Sequence, residues 1–453
     1  MSSSSSSRSA SSEEEEEEGG GDGGVRDPTA VIGRIGEPSS SRMRSSNAVW
    51  PEPFVEALAT QVAIDATATN GRLAAGPALV SVFQVCSTWR AVSRSELLWQ
   101  NLTRRIWARD RPLRATWREE YVHRHRTAQN FRFRRVVHTP LVFDASPSDP
   151  ADSLSCRCLA LSDRHVACGF LDGSVRLFDL RTTRHVSTLR PQIRDQLGRF
   201  SRAVSGIVLH GPRVVFASLD GDVHVANIRD PAPRRAHFGD VVNDGALVNF
   251  TGCSRWWVGL YAGVPGRAFH VWDSRTEELV FVGGSLTDPD AVQGWHLLTE
   301  MTESVGRVRV SSRDTGVACT GRRVMVFDLR NQGLVLGEEE FEQGVIVDSV
   351  DVSNNLFLVI DNTGQARVRQ VRTFEQVCQF GIRGAGRVLG CMNGGYAFVY
   401  AGGTIRAWDI ERGQLLYRLR ERIGDAVDLV ADEEHVAGCS SDTGIHLWRF
   451  SAV

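Results

Sequence analysis

The sequence predicts a mainly β protein: a seven-bladed β-propeller preceded by an α-helical domain and a helical linker, behind a disordered N-terminal tail. Three observations predict this. A strand-turn-strand unit recurs seven times after residue 140, large apolar residues fall at helical spacing between 47 and 110, and the chain opens on low-complexity sequence. The expected boundaries are 1–46 for the tail, 47–110 for the helical domain, 111–138 for the linker and 139–453 for the ring.

The tail carries Ser2 to Ser7, six consecutive glutamates from Glu13 to Glu18, and glycines at 19, 20, 21, 23 and 24. Such a segment cannot bury enough apolar surface to offset its ordering entropy. It is expected to be a solvated tail that phosphorylation can tune.

Between Asn47 and Asp110 the sequence predicts three short helices. Pro51 and Pro53 sit where a first helical turn tolerates them, and Phe54, Leu58 and Val62 recur every four residues to give one apolar face. After a looser stretch from Asp65 to Gly76 come Pro77, Leu79, Val82, Phe83, Cys86 and Trp89, then a third stripe of Leu98, Leu102 and Ile106. So small a cluster has too little interior for these side chains, and part of its surface is expected to be buried against something else.

The linker is basic: residues 104–135 hold eleven arginines against Asp110, Glu119 and Glu120. Trp117 and Tyr121, one turn apart, predict an amphipathic helix with aromatics packed inward and arginines outward or against an acidic surface. A solvated face, an acidic partner and a nuclear import signal all fit this composition. The run Phe131-Arg132-Phe133-Arg134 also fits contact with nucleic acid, though no helix-turn-helix or zinc-finger pattern appears, which argues against direct DNA reading.

The repeats end at Asp179, Asn227, Asp273, Asp328, Gln370, Asp409 and Arg449, at a mean interval of 45 residues. Trp-Asp is intact at Trp272-Asp273 and Trp408-Asp409 and nearly so at Phe178-Asp179 and Phe327-Asp328. The spacing resembles WD40 repeats, each supplying four strands of a blade. The last repeat stops on its third strand, so Pro140 to Asp144 is expected to supply the missing outer strand and close the ring.

Composition excludes several chemistries. All 52 basic residues are arginine, so a P-loop, a Schiff-base enzyme or a kinase has no lysine to work with. The same absence leaves only the N-terminus as an amine that could be modified; the plainer explanation is a coding bias toward arginine. No Gly-x-Ser-x-Gly or His-Glu-x-x-His string occurs, and no catalytic residue, cofactor or metal is expected. Nine scattered cysteines read as free thiols in a reducing compartment, and Cys156 and Cys158 lack a second pair at zinc spacing. With no long apolar run and no signal peptide, the chain is expected to be soluble, intracellular and independent of membranes. A net charge of -2 argues against a general polyanion binder.

Function on a propeller is carried by the loops at its two ends. Candidate substrate-binding residues are Arg194, Arg199, Phe200 and Arg202 between the first two repeats, Tyr261 and Arg267 in an expanded hairpin turn, and Arg322 and Arg323 in another. Together they are expected to form a basic mouth for an acidic or phosphorylated peptide. The longest interval holds an insertion from Gly283 to Glu303 with Trp295 and His296, a possible partner loop. His224, His270 and His446 share a repeat position with Arg176, Arg367 and Arg406, which explains them better than catalysis does.

Two sets of residues carry a family resemblance. Trp50-Pro51-Glu52-Pro53-Phe54, the run from Val82 to Val92, and Leu98-Trp99-Gln100-Asn101-Leu102 resemble an F-box, with Trp-Pro where the usual opening is Leu-Pro. That resemblance implies docking on a Skp1-like adaptor of a cullin ubiquitin ligase through Trp50, Pro51, Phe54, Leu58, Leu79, Val82, Phe83, Cys86, Trp89, Leu98 and Trp99. The stretches beginning at Arg124, Asp152, Gly198, Val242 and Arg255 resemble a plant family that joins an F-box to a WD40-like propeller. The resemblance implies a nuclear regulator of floral organ identity and organ growth. It acts either as a receptor for PEAPOD-type repressor complexes or as a transcriptional scaffold without ligase activity.

Overall fold

The computed structural model describes residues 50–143, 154–191, 199–284 and 307–451, except 312, 313, 322, 332, 343, 344, 346 and 385. Seven four-stranded antiparallel sheets form the blades of a propeller. Their innermost strands are Cys156–Leu161, Val204–His210, Ala246–Gly252, Arg307–Val310, Val347–Ser353, Leu389–Met392 and Ala426–Ala431. Each packs beside the next, and the last packs beside the first, so the ring is closed.

All seven repeat ends fall at the end of a third strand, as the sequence predicts. The polar residue there has a mechanical reason. Asp179 Oδ1 accepts from the N–H groups of Arg181 and Thr182, and Asp273 Oδ1 from those of Arg275 and Thr276. Asp328, Asp409 and Asn227 each accept from the N–H two residues on. A short side-chain acceptor satisfies the backbone of the turn into the outer strand.

Inner strands are tied to their neighbours by polar side chains. Asn249 accepts from Val308 N–H at 3.0 Å, Asp351 from Met392 N–H at 2.8 Å, and Asp428 from Leu159 N–H at 2.8 Å. Asn249 and Asp428 each lie at a register irregularity that turns the side chain toward the next blade. Gly206 fits between blades 2 and 3 only because it lacks a side chain: a Cβ there would stand 1.9 Å from the Phe250 carbonyl.

Closure comes from a strand before the first repeat, but three residues earlier than expected. Val137–Pro140 pairs antiparallel with Ile445–Arg449, from Val137 opposite Arg449 to Pro140 opposite His446. The apolar residues that drew attention to Pro140–Asp144 serve another purpose. Leu141 is buried with Cys156, Phe170 and Leu447 between the last and first blades, and the Phe143 ring meets Phe170 edge-on. An outer strand is half solvated, so His138, Thr139 and Pro140 suffice there.

The helical domain has four α-helices rather than three: α1 (Glu52–Asn70), α2 (Ala75–Phe83), α3 (Ser87–Val92) and α4 (Glu96–Trp107). The stretch from Asp65, expected to be loose, continues α1 to Asn70, where Gly71 at φ +83 ends it. The expected second helix is cut in two by Gln84 to Cys86. In α1 the buried face is Val55, Ala59 and Ala63, one position off the expected Phe54, Leu58 and Val62, because small residues let α2 and α4 approach closely. α5 (Trp117–Phe133) is the predicted linker helix, capped by the Thr116 hydroxyl accepting from Glu119 N–H at 3.1 Å.

Candidate functional site

The helices do not hang free. One continuous core joins the interior of α1 to α5 with blades 6 and 7. Phe131 near the end of α5 is 1% exposed and stacks on Phe450 at 3.8 Å and Tyr396 at 5.4 Å. Asn130 donates to the Phe450 carbonyl at 2.6 Å, and the Tyr396 hydroxyl donates to the Ala128 carbonyl at 2.7 Å. Arg72, just after α1, lies over the Trp107 ring at 5.0 Å and the Tyr396 ring at 5.2 Å and pairs with Glu433 at 3.3 Å. His123 of α5 meets Glu434 at 3.0 Å. Burial alone would raise the Glu434 carboxyl, but the hydrogen bond and charge of His123 override it and hold the group down at about 2.

The linker arginines divide. Arg118 and Arg126 are exposed as expected, but Arg124 points inward, where it donates to Glu120 at 2.6 Å. Glu120 also accepts from Leu113 N–H at 2.9 Å, so the buried pair is hydrogen-bonded on both sides. Tyr121 is buried against Trp99 and Trp107.

Of the eleven candidate adaptor-docking residues, Leu79, Val82, Leu98 and Trp99 form the interior of the helical domain. The Trp99 indole N–H donates to the Ser93 carbonyl at 2.7 Å. Leu58, Phe83 and Trp89 are half-buried. Trp50, Pro51, Phe54 and Cys86 are exposed, and the Trp50 and Phe54 rings stack at 4.6 Å. Val80, Val85 and Leu97 are also exposed, at 52%, 61% and 56%. Sequence spacing missed these three; Val80 and Leu97 lie next to the inward-facing Leu79 and Leu98, which is the signal that would have found those two.

Asn393–Gly395 and Asp432–Glu434 follow their inner strands, so the helices sit on the face made by the turns from first to second strand. The opposite face is made by the turns from second to third strand and by the connections between blades. The candidate substrate residues among the described residues lie toward this second face. Arg194 and Arg322 fall outside the described residues; Arg199 and Phe200 belong to the short 3-10 helix Arg199–Arg202. Arg202 is half-buried there.

Tyr261 is 4% exposed and stacks on His270 at 4.0 Å. Arg267 is neutralised by Asp244, with Nε donating at 2.9 Å. Burial, with Asp244, Asp222 and Asp220 nearby, pushes the Tyr261 hydroxyl up, and burial pushes His270 down to about 4. Arg323 pairs with Glu338 at 3.3 Å and Glu340 at 3.7 Å on its own blade. Tyr261 and Arg267 are therefore brought together, but in a locally acidic setting, and Arg323 is held by its own blade. The insertion carrying Trp295 and His296 lies outside the described residues.

The shared repeat position of the histidines and arginines is visible in register. Arg176 opposes Cys168, His224 opposes Phe216, His270 opposes Gly259, Arg367 opposes Val359, Arg406 opposes Val399 and His446 opposes Gly438. Arg176 is buried between Phe143 and Phe170, 4.0 and 4.3 Å from their ring centres. Among the described residues no His, Cys, Asp and Glu group could hold a metal, and no helix is long and apolar enough to cross a membrane. All nine cysteines are free, and six are buried.

No family model matches the sequence. The chain is 56% identical over 425 residues to the transcriptional regulator STERILE APETALA of Arabidopsis thaliana, covering 92% of this chain and 95% of that protein. It belongs to the STERILE APETALA family. The ring of this chain has the WD40 fold. The crystal structure of the RRP9 WD40 repeats matches with a TM-score of 0.52 at 11% identity, covering 69% of this chain and 97% of the other. The structure of U3-55K matches with 0.52 at 12% identity, over 69% and 98%. These likenesses concern fold alone. In this chain, then, a WD40 propeller is joined through two blades to a helical domain with exposed apolar side chains.

Proposed function

We propose that the chain is the non-catalytic substrate-recognition subunit of a Skp1-cullin-F-box ubiquitin ligase. The helical domain holds a Skp1-like adaptor, and the free propeller face holds a transcriptional repressor for modification elsewhere in the complex. Large apolar groups at Trp50, Phe54, Val80, Val85 and Leu97 carry this reading, because they stay exposed although the same domain has completed its core against blades 6 and 7. A domain with its interior already filled has no internal need for such groups, and exposed apolar side chains mark interaction surfaces.

The helical domain docks on one face of the ring and leaves the other face free, an arrangement suited to presenting a bound protein away from an adaptor. Substrates of the PEAPOD-repressor type, action in the nucleus, and control of floral organ identity, meristem and organ growth follow from the family resemblance. Copurification tests the proposal: a Skp1-like adaptor is recovered with the full chain and lost with Trp50→Ala/Phe54→Ala. Recovery that survives this double variant and a Val85→Asp/Leu97→Asp variant overturns it.

The second reading is a transcriptional scaffold that acts through protein contacts without ligase activity. The relative's description as a transcriptional regulator favours it. It is the surviving reading if the folded chain captures repressors but no adaptor.

A further inference from the structure

The innermost strands enclose a channel of about 840 Å³ along the propeller axis. Its charges are sorted by height. The inner strands all run in the same direction, so residues at their starts gather at the mouth on the face away from the helices. Arg157 is the second residue of its inner strand, Arg307 is the first of its strand, and Arg387 lies two residues ahead of another. Deeper in the channel, Arg309 lies 3.7 Å from Asp351 and 3.9 Å from Asp428. Asp432 lies at the far end, where it holds His435.

Among the described residues Arg309 has carboxylates within ion-pair reach and the mouth arginines do not. Among the described residues no ion pair forms to Arg157, Arg307 or Arg387, whereas most channel carboxylates are already engaged. Among the described residues that line the channel, Asp348, the second residue of its inner strand, is the acid at the same height. Three arginines set against one carboxylate at the mouth of a semi-enclosed space concentrate positive potential there, because low-dielectric walls focus the field. The planar guanidinium fork is also the side chain best matched to a tetrahedral oxyanion.

We propose that Arg157, Arg307 and Arg387, with Arg309 beneath them, form an oxyanion site that takes a phosphoryl group at the free mouth of the channel. Burial, and then the charge of Arg309, push the Arg307 guanidinium below its ordinary value, the direction expected for a cation short of negative charge. Burial pushes the Asp348 carboxyl up, against the charge of Arg307, which lowers it. The site is separate from the expected basic mouth of Tyr261, Arg267, Arg322 and Arg323, and it does not depend on the ligase reading, which adaptor capture tests by itself.

The phosphoryl group has two possible sources, a small free phosphate compound or a phosphorylated segment of a protein substrate. The full chain is titrated calorimetrically with inorganic pyrophosphate, and separately with a phosphoserine peptide and its unphosphorylated twin. Binding of pyrophosphate or of the phosphorylated peptide alone supports the site, and the tighter of the two identifies the source. Arg387→Ala, at an exposed position, is expected to weaken binding about tenfold without unfolding the chain, and Asp348→Asn to tighten it several-fold. Affinity is also expected to fall steeply with added salt. No binding of either probe, or binding unchanged in both Arg387→Ala and Arg307→Gln, overturns the proposal.

Discussion

The helical domain has two apolar faces, and they differ in almost every physical respect. The face on blades 6 and 7 is aromatic, buried and hydrogen-bonded: Phe131, Tyr396, Tyr417 and Arg72 each make a specific contact across the junction. The other face, with Trp50, Phe54, Val80, Val85 and Leu97, is exposed and joins the domain to nothing in the described chain. The first face makes helices and propeller one body. The second adds nothing to that body, so its use must lie outside it.

Breaking the docked face has the largest expected effect. Phe131→Ala removes three aromatic contacts and leaves a cavity, and is expected to cost about 3–5 kcal/mol. Chemical denaturation followed by circular dichroism checks this, with the helical signal lost before the strand signal. A single unshifted transition would mean that the two parts are not energetically joined at Phe131. Arg72→Ala removes a buried cation from two rings and leaves Glu433 unpaired, and is expected to cost about 2 kcal/mol by the same measurement.

The ring closure gives an intermediate effect with a definite sign in pH. His138 on the closing strand meets His446 at 3.0 Å, and burial lowers both pKa values, more than nearby Glu421 and Asp442 restore them. A folded state that favours neutral histidines is stabilised above their unfolded value and loses that stability as pH falls through and below it. The melting temperature of the wild type is therefore expected to drop more between pH 7.5 and about pH 5 than that of His138→Gln. An equal drop would remove the pair from the account.

Altering the open face should change stability least. Trp50→Ala and Phe54→Ala are expected to shift the unfolding free energy by less than about 0.5 kcal/mol, because neither group fills the interior. The same variants are the ones expected to abolish adaptor capture. A large loss of stability in either would move these residues from the open face to the core.

The repeats were legible because they obey local rules. A third strand alternates against an inner neighbour and in five of the seven repeats ends on a side chain that caps its turn, so Asp179 through Arg449 could be placed from spacing alone. The helical domain was harder to read. Its apolar residues are nearly continuous around α1, and only the approach of α2 and α4 chose Val55, Ala59 and Ala63 over Phe54, Leu58 and Val62. The closing strand was misplaced by three residues for a related reason: apolar character marks a residue for burial, and at Leu141 and Phe143 burial lies between blades rather than within one.

Sequence by itself determined the number of blades, the positions of their third strands, the existence of helices ahead of the ring and the exclusion of lysine chemistry. These depend on periodicity, turn chemistry and composition, which a chain carries locally. Tertiary structure alone decided which apolar stripe faces inward, that α5 locks into blades 6 and 7, and that Tyr261 and Arg267 share an acidic pocket with Asp244. It also gathered Arg157, Arg307 and Arg387, far apart in the chain, at one end of a channel. The physical reason is common to all of these: which neighbour covers a side chain, and which charge faces it, is set by segments hundreds of residues away.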